Sequence, residues 1–200
     1  MKKTFALVTT ALALAAISSA QAEPVTYRID PLHTFVSFAA PHIAGISTWR
    51  GKFDRTQSGT IMLDRAAKTG RVDIVIDTSS IDFGLEKLNE HAKSAELFDV
   101  AKYPTATYKA ERIEFDGDTP VAVDGELSLH GVTRPVPLKI EHFKCIQDPF
   151  LKVERCGADA SAVLDRSAFG IDYAVKMVGS PEVRLEIQVE ALRAAAAGSS

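Results

Sequence analysis

The sequence predicts an all-β protein whose antiparallel sheet closes on itself or folds into two packed layers. Residues 183–190 alternate apolar and polar side chains without a fault, which is typical of a strand with one face in a core and the other in water. The strand candidates are separated by short turn signals, and connections of hairpin length favour antiparallel pairing because parallel strands need long crossovers. A single amphipathic helix cannot cover both faces of a large sheet, so we expect it at one end.

Strand candidates follow one another along most of the chain. Residues 72–78 give a second alternating face, and residues 136–141 give a third. The other candidates are Val25–Asp30, Thr34–Ala40, Thr48–Phe53, Gly59–Leu63, Ala106–Ile113, Val121–Leu129 and Leu151–Asp165. Turn signals fall at Gly45, Gly70, Asp116–Asp118, Gly131 and Gly179–Pro181. The helix is predicted from Leu85, Leu88, Ala92 and Ala95, which repeat at three and four residues.

The first 22 residues have the pattern of a secretory signal peptide. Lys2 and Lys3 form a basic start, Phe5–Ile17 is apolar and uncharged, and Ser18–Ala22 ends in a small-x-small pattern. The apolar run is shorter than the roughly 20 residues that a spanning helix needs, so no permanent membrane anchor is expected. We therefore predict a signal peptide over 1–22, a periplasmic β-barrel domain over 23–192 and a flexible tail over 193–200.

The two cysteines, Cys145 and Cys156, flank a turn signal at Gln147–Pro149. In an oxidising compartment such a close pair is expected to form a disulfide that joins the two arms of a hairpin. The spacing does not suit the zinc or redox chemistry of C-x-x-C motifs, and we predict no metal site.

Charge and motif content narrow the class of function. The formal net charge is −3 and no basic face is concentrated enough to suggest a nucleic-acid partner. The common catalytic motifs are absent from the sequence, so we predict a protein that is not an enzyme and has no catalytic cofactor. The sequence leaves both a monomer and a homodimer open.

A few polar side chains are candidates for contact with the headgroup of a ligand. His33 and His42 are nine residues apart, too far on a straight strand to share a metal. The simpler interpretation of each is a structural histidine whose hydrogen bonds are satisfied within the protein. His142 extends the predicted inward face of residues 136–140. Arg166 precedes a Phe-Gly turn, where its planar donor fork would pin a loop or meet a headgroup.

Five blocks along the mature chain resemble the YceI-like family of secreted bacterial lipid-binding proteins. They are Tyr27–Phe38, Thr78–Gly84, Phe98–Pro104, Leu129–Val136 and Arg166–Ile171, in the family's order. The resemblance implies an extended, antiparallel, lipocalin-like β-barrel of about eight strands with one short helix at the barrel mouth. It also implies an elongated pocket for a polyisoprenoid lipid such as the tail of ubiquinone, while related members are similar to carriers of fatty acids or fatty amides. The sequence departs from the family pattern at Ala39–His42 and Leu85–Ala92; the helix borders the mouth of the pocket in this fold, so these changes bear on the headgroup that the mouth accepts.

We therefore predict a periplasmic carrier that holds a long apolar lipid inside the barrel. A buried methylene contributes about 0.8 kcal/mol, so a long chain gains affinity from length alone. Two alternatives stay open: an enzyme or redox accessory that uses His33, His42 or Arg166 near a headgroup, and an envelope stress-response module whose barrel is filled by side chains. Alternation and bulk select the inward-facing ligand candidates Phe35, Phe38, Phe53, Ile74, Ile76, Phe98, Leu127, Leu138, Phe169 and Leu185.

Overall fold

The computed structural model describes residues 23–195, most of which form β-strands. The predicted signal peptide, and residues 196–200 of the predicted tail, lie outside the described residues. The strands are β1 Val25–Ile29, β2 Phe35–His42, β3 Ser47–Phe53, β4 Thr56–Asp64, β5 Thr69–Asp77, β6 Ile81–Asp82, β7 Thr105–Asp116, β8 Thr119–Leu129, β9 Val132–Pro135, β10 Leu138–Gln147, β11 Glu154–Asp165 and β12 Glu182–Arg193. The helices are α1 Glu86–Lys93 and α2 Val175–Val178, with 3-10 turns at Ile43–Gly45, Thr78–Ser80 and Arg166–Phe169.

Eight of the strands form a closed antiparallel ring. Their order around the barrel is β1-β4-β5-β7-β8-β10-β11-β12, and β12 pairs with β1 to complete the circle. The seam between β8 and β10 is short, since it joins Leu138 to Val123 and Lys139 to Ala122. The predicted all-β class and the barrel of about eight strands are therefore confirmed.

The long strand β12 pairs with two shorter strands along one of its edges. Its C-terminal part pairs with β1, where Arg193 lies opposite Tyr27, and its N-terminal part pairs with β2, where Leu185 lies opposite Phe38. Strand β3 continues from β2, and the short β6 adds to β3. Residues 30–34 connect β1 to β2, and beyond this connection β2, β3 and β6 extend the wall towards one end of the barrel.

The two ends of the barrel differ in construction. At one end, which we call the mouth, lie the turn Ile43–Gly45, α1, the turn Arg166–Phe169 and α2. At the other, which we call the sealed end, the hairpins β4–β5, β7–β8 and β10–β11 turn back. The prediction of a single helix is corrected to two, because α2 is one turn long and has no periodicity to reveal it.

Several predicted boundaries also shift. Helix α1 begins at Glu86 and ends at Lys93, so Leu85 is its N-cap and Ala95 lies beyond it. Strand β11 begins at Glu154 rather than Leu151, because the β10–β11 turn runs through residue 153. Arg193, which we placed in the tail, is the last residue of β12.

Glycines in the wall let two aromatic rings lie flat against it. A Cβ at Gly51 would lie 2.7 Å from Cζ of Phe38, and a Cβ at Gly125 would collide with the ring of Tyr108. Pairing of an aromatic ring with a strand glycine supports a curved sheet and leaves the interior open.

Candidate ligand-binding site

The barrel encloses a cavity of about 470 Å³ that reaches from the mouth to the sealed end. This volume lies in the range of roughly 300–1,000 Å³ found for small-molecule sites. Inward-facing positions of the ring strands supply most of the wall, as expected from the alternation of side chains along a strand. The aliphatic part of the wall includes Ile61, Leu63, Val72, Ile74, Ile76, Ile113, Val123, Leu127, Leu129, Leu138, Ile140, Val183, Leu185, Ile187 and Val189.

A chain of aromatic rings forms the wall beside the mouth. Phe38 lies 5.7 Å from Phe53 and 5.2 Å from Phe83, measured between ring centroids. Phe53 continues to Phe98 at 5.6 Å, and Phe83 continues to Trp49 at 6.2 Å. Most of these pairs are edge-to-face, a favourable arrangement for aromatic rings. The rings thereby give one side of the cavity a fixed shape.

The hydroxyl groups in the middle of the cavity are occupied by the protein itself. The hydroxyl of Tyr108 donates to the carbonyl of Val136 at 2.9 Å, and Oγ1 of Thr56 donates to the carbonyl of Thr34 at 3.0 Å. Burial raises the pKa of Tyr108 far above its ordinary value, so this hydroxyl stays protonated. The middle of the cavity therefore offers apolar contact and few free hydrogen-bonding groups.

A polar cluster closes the sealed end. The hydroxyl of Tyr27 donates to Oε2 of Glu154 at 2.7 Å, and Nη2 of Arg65 donates to Oε1 of Glu154 at 3.0 Å. Burial raises the pKa of Glu154, but the hydrogen bonds from Tyr27 and Arg65 outweigh it and hold that pKa below its ordinary value. The same guanidinium nitrogen lies 3.0 Å from Sγ of Cys145. We call Tyr27, Arg65 and Glu154 the sealing cluster.

The predicted disulfide between Cys145 and Cys156 is present and lies against this cluster. Cys145, Glu154 and Cys156 come close enough together to resemble a metal-ligand group. Because both sulfur atoms are bonded to each other, they do not supply the thiolates that a metal would bind.

The mouth holds the polar side chains that face the opening. Arg166 donates from Nη1 to the carbonyl of Ile171 at 2.7 Å and from Nη2 to the carbonyl of Tyr173 at 2.8 Å. Burial lowers the pKa of Arg166, although Asp172 and Asp165 act in the opposite direction. Arg166 therefore holds the loop that carries α2, as one of its two predicted roles required.

His91, on α1, has an unusual nitrogen. Its Nε2 lies 3.1 Å from Oε2 of Glu96, within ion-pair distance, but among residues 23–195 it is the buried side-chain polar atom that makes no hydrogen bond. Its ring packs 4.8 Å from the ring of Tyr173, and both side chains line the cavity. His42 packs against Trp49 at 5.2 Å on the same opening.

The structure brings most of the predicted site residues to one cavity. Phe38, Phe53, Ile74, Ile76, Phe98, Leu127, Leu138 and Leu185 line it, together with His42 and Arg166. That these side chains contact a ligand stays a prediction.

Two predicted apolar residues lie elsewhere. Phe35 is on the outer face, where Nζ of Lys52 lies 5.0 Å from its ring, while its neighbours Thr34 and Val36 line the cavity. Phe35 and Phe38 are three residues apart, and an odd spacing places two residues of one regular strand on opposite faces. Phe169 is buried, but it packs behind the mouth, where its carbonyl accepts a hydrogen bond from Nδ1 of His130 at 3.1 Å.

Two predicted headgroup residues are also misplaced. His33 is exposed outside the barrel, and its Nδ1 lies 2.8 Å from Oδ2 of Asp30. His142 is on the outer face because β10 contains a bulge between Ile140 and His142, which reverses the alternation so that Phe143 points inward instead. The predicted inward direction of His142 is therefore wrong, and His33 lies away from the cavity, where the predicted headgroup contact is not possible.

Sequence reasoning missed several side chains of the wall. Trp49 and Tyr108 lie on predicted strands, and consistent alternation with Phe53 and Ala106 would have revealed them. His91 follows Leu88 by three residues on the predicted helix, which places both on one face. Tyr173 and Met177 belong to the loop around α2, where no periodic signal exists.

A closed antiparallel ring around an apolar cavity, sealed at one end by polar contacts, defines the class of β-barrels with an enclosed interior site. Within this class, the family model described as the YceI-like domain matches residues 27–191. The chain belongs to the YceI-like family.

Curated relatives extend over the whole chain. A UPF0312 protein of Pseudomonas aeruginosa is 31% identical over 195 residues, covering 96% of this chain and 99% of the relative. A UPF0312 protein of Vibrio parahaemolyticus is 30% identical over 194 residues, covering 96% of this chain and 100% of the relative.

Solved structures share the fold at lower identity. Burkholderia cenocepacia BcnA superposes with a TM-score of 0.64 at 20% identity, covering 81% of this chain and 98% of that chain. A polyisoprenoid binding domain from Saccharophagus degradans, implicated in plant cell wall breakdown, gives a TM-score of 0.61 at 16% identity over 85% of this chain and 99% of that one. No helix within residues 23–195 is long and apolar enough to span a bilayer.

Proposed function

We propose that this protein is a periplasmic binding protein that carries one long apolar lipid, an isoprenoid quinone or another polyprenyl or fatty chain, inside its barrel. The observation that supports the proposal is an enclosed cavity of about 470 Å³ with an almost wholly aliphatic and aromatic wall. A barrel filled by side chains would lack such a volume. The polyisoprenoid binding described for the Saccharophagus degradans domain is consistent with the same class of ligand.

The chemistry of the wall favours selection by length and shape. Each buried methylene contributes about 0.8 kcal/mol, so affinity rises with chain length until the cavity is full. The hydroxyls of Tyr108 and Thr56 already donate to backbone carbonyls, so a polar group in the middle of the ligand would lose its hydrogen bonds to water without replacement. The ligand therefore enters with its apolar tail towards the sealing cluster.

We place the headgroup of the lipid at the mouth, beside His91 and His42. His91 lines the opening, and its buried Nε2 makes no hydrogen bond in the described part of the chain, although the exposed Glu96 lies within ion-pair distance. A carbonyl or hydroxyl of the headgroup would supply that hydrogen bond. Arg166 acts through the loop that it holds, since its guanidinium donates to two backbone carbonyls. These roles are those of a binding protein, and we propose no catalytic step.

The test is to recover the ligand from protein that is purified without detergent. The mature protein is purified from bacterial periplasm and extracted with organic solvent, and the extract is analysed by mass spectrometry. We expect a stoichiometric polyprenyl, quinone or fatty lipid. Folded protein that carries nothing and also refuses added lipid would overturn the proposal.

A pair of neighbouring variants locates the lipid in the barrel. Ala158 lines the cavity on β11, whereas Asp159 is exposed on the outer face of the same strand. Ala158→Phe should abolish or shorten the bound lipid because the added ring occupies the cavity. Asp159→Phe adds the same ring outside and should leave the lipid content unchanged. Equal lipid content in the two variants would contradict an interior site.

A further inference from the structure

We infer that the mouth is a docking surface for a lipid bilayer, on which the opening of the cavity faces the membrane directly. The inference rests on the proposed lipid-carrying function and deepens it by naming the partner surface from which the ligand enters.

Large apolar side chains are exposed on three separate segments around the mouth. Ile46 is 78% exposed on the turn that leads into β3, and Ile43 is also exposed there. Met177 on α2 is 54% exposed, and Leu85 at the start of α1 is 53% exposed. Contiguous exposed apolar groups on a monomer mark a site of protein or membrane contact.

The exposed apolar surface is continuous with the cavity wall. Tyr173 and Met177 line the cavity and are also exposed to solvent, so apolar surface of the wall continues outward through them. The turn Ile43–Gly45 packs against α2, which brings Ile43 and Ile46 to the same rim. A lipid that leaves the cavity would pass over the exposed apolar side chains of the rim and then into the bilayer that covers them.

Charge on one side of the rim suits a membrane with anionic headgroups. Arg50 and Arg184 are exposed and lie opposite Ala39 from the two strands that flank β2, below the turn. Lys176 is exposed on α2 between Tyr173 and Met177. Acidic groups also lie at this end: Asp165 and Glu182 are exposed and face each other at the ends of β11 and β12, and Asp172 lies on the loop before α2. Strands β2 and β3 contain no acidic residue, so we expect the β2–β3 side to approach the headgroups most closely.

A bilayer fits this surface better than a protein does. A stable protein interface needs about 1,000 Å² or more with good shape complementarity, whereas a few apolar side chains on short turns enter a bilayer interface without shape matching. The proposed ligand also resides in membranes, and exposing its chain to water costs about 0.8 kcal/mol per methylene. A mouth that rests on the bilayer removes that cost from the transfer.

The sealed end provides an internal control, because it carries exposed apolar side chains that have no connection with the opening. Phe150 is 88% exposed on the β10–β11 turn, and Leu151 beside it is also exposed. Neither residue lines the cavity. Loss of general surface hydrophobicity can therefore be separated from loss of the mouth.

The experiment is vesicle flotation of the mature protein with liposomes of phosphatidylethanolamine and phosphatidylglycerol. We expect the wild type to float with the vesicles and Ile43→Ser/Ile46→Ser to lose at least about tenfold in partitioning, since two apolar side chains no longer enter the interface. Phe150→Ser/Leu151→Ser should partition as the wild type does. Ile43 and Ile46 do not line the cavity, so solvent extraction should recover the same lipid from all three proteins.

Each other outcome counts against one idea in particular. A wild type that stays in solution, or a Phe150/Leu151 variant that loses as much partitioning as the Ile43/Ile46 variant, overturns docking through the mouth. If the protein carries lipid but does not float with the vesicles, the proposed function holds and the inference of membrane docking is wrong. Protein that binds vesicles through the mouth but contains no lipid, and takes up none, removes the proposed function.

Discussion

The two ends of the barrel are held together by different forces. At the sealed end, charged and polar side chains bind one another. The sealing cluster lies beside the β10–β11 hairpin. Near the same hairpin, Arg155 donates to Asp148 at 2.7 Å, to Asp30 at 2.9 Å and to Glu190 at 3.0 Å. At the mouth, short helices and 3-10 turns expose apolar side chains. Directional bonds fix the end that stays shut, and non-directional apolar contact surrounds the end that admits a ligand.

Arg155 should give the largest effect on stability. Its side chain is 16% exposed and joins the β10–β11 turn to β1 and β12. Arg155→Met leaves three carboxylates without their shared cation, and we expect the free energy of unfolding in urea to fall by about 2–4 kcal/mol, below the full value for a buried pair because the site is partly solvated. The control Lys139→Met breaks an exposed pair with Glu141 and should change little. Similar losses in the two variants would contradict a special role for Arg155.

The disulfide should contribute somewhat less. Cys145→Ala/Cys156→Ala opens a loop with a sequence separation of 11 residues, and we expect the free energy of unfolding to fall by about 2–3 kcal/mol. Reduction of the wild type with dithiothreitol should produce the same loss in urea unfolding, while the variant should not respond to the reductant. A reductant effect of equal size in the variant would show that the stability arises elsewhere.

The sealed end should also respond to acid. The backbone amide of Leu151, then the guanidinium of Arg155 and the amide of Phe150, lower the pKa of Asp148 from 3.8 to about 2. A carboxyl whose pKa is depressed by folding stabilises the fold fully above its unfolded pKa, and that contribution disappears as the pH falls through its folded pKa. Stability should therefore decline from about pH 4 towards about pH 2. The difference in urea stability between the wild type and Asp148→Asn should shrink over this window; a constant difference would contradict the assignment.

The smallest effect on stability is expected at the mouth. His91→Leu removes a buried nitrogen that makes no hydrogen bond in the described chain and whose ion-pair contact is with the exposed Glu96, so the free energy of unfolding should stay within about 1 kcal/mol of the wild type. Affinity for a quinone should fall roughly three- to tenfold, because one hydrogen bond to its carbonyl is lost. Affinity for a hydrocarbon of equal chain length, measured by fluorescence competition, should not change. Equal losses for both lipids would mean that His91 acts on the shape of the opening.

Alternation of side chains predicted most of the wall, and it failed for physical reasons. The strand β2 is apolar on both faces, so Phe35 and Phe38 both look like core residues although a regular strand allows only one of them to point inward. The bulge in β10 carries no signal in the sequence, and it turns His142 outward.

Tertiary features were less accessible. The pairing of β1 with β12, which closes the ring, joins segments more than 160 residues apart and has no local pattern. Helix α2 is too short for periodicity, so the part of the mouth that contains Tyr173 and Met177 could not be derived. The disulfide was predictable because it depends on an oxidising compartment and on the close spacing of the two cysteines. The sequence indicates both, the first through the signal-peptide pattern.

The closure of the ring by its first and last strands also determines where a label, a fused protein or a solid support can be attached. The amide of Ala194 donates to the carbonyl of Thr26 at 2.8 Å, so both ends of the described chain emerge side by side near the sealing cluster. A dye, a fused partner or a solid support joined at either end would thus be separated from the opening by the length of the barrel. Protein immobilised in this way would present its opening outward in a uniform orientation.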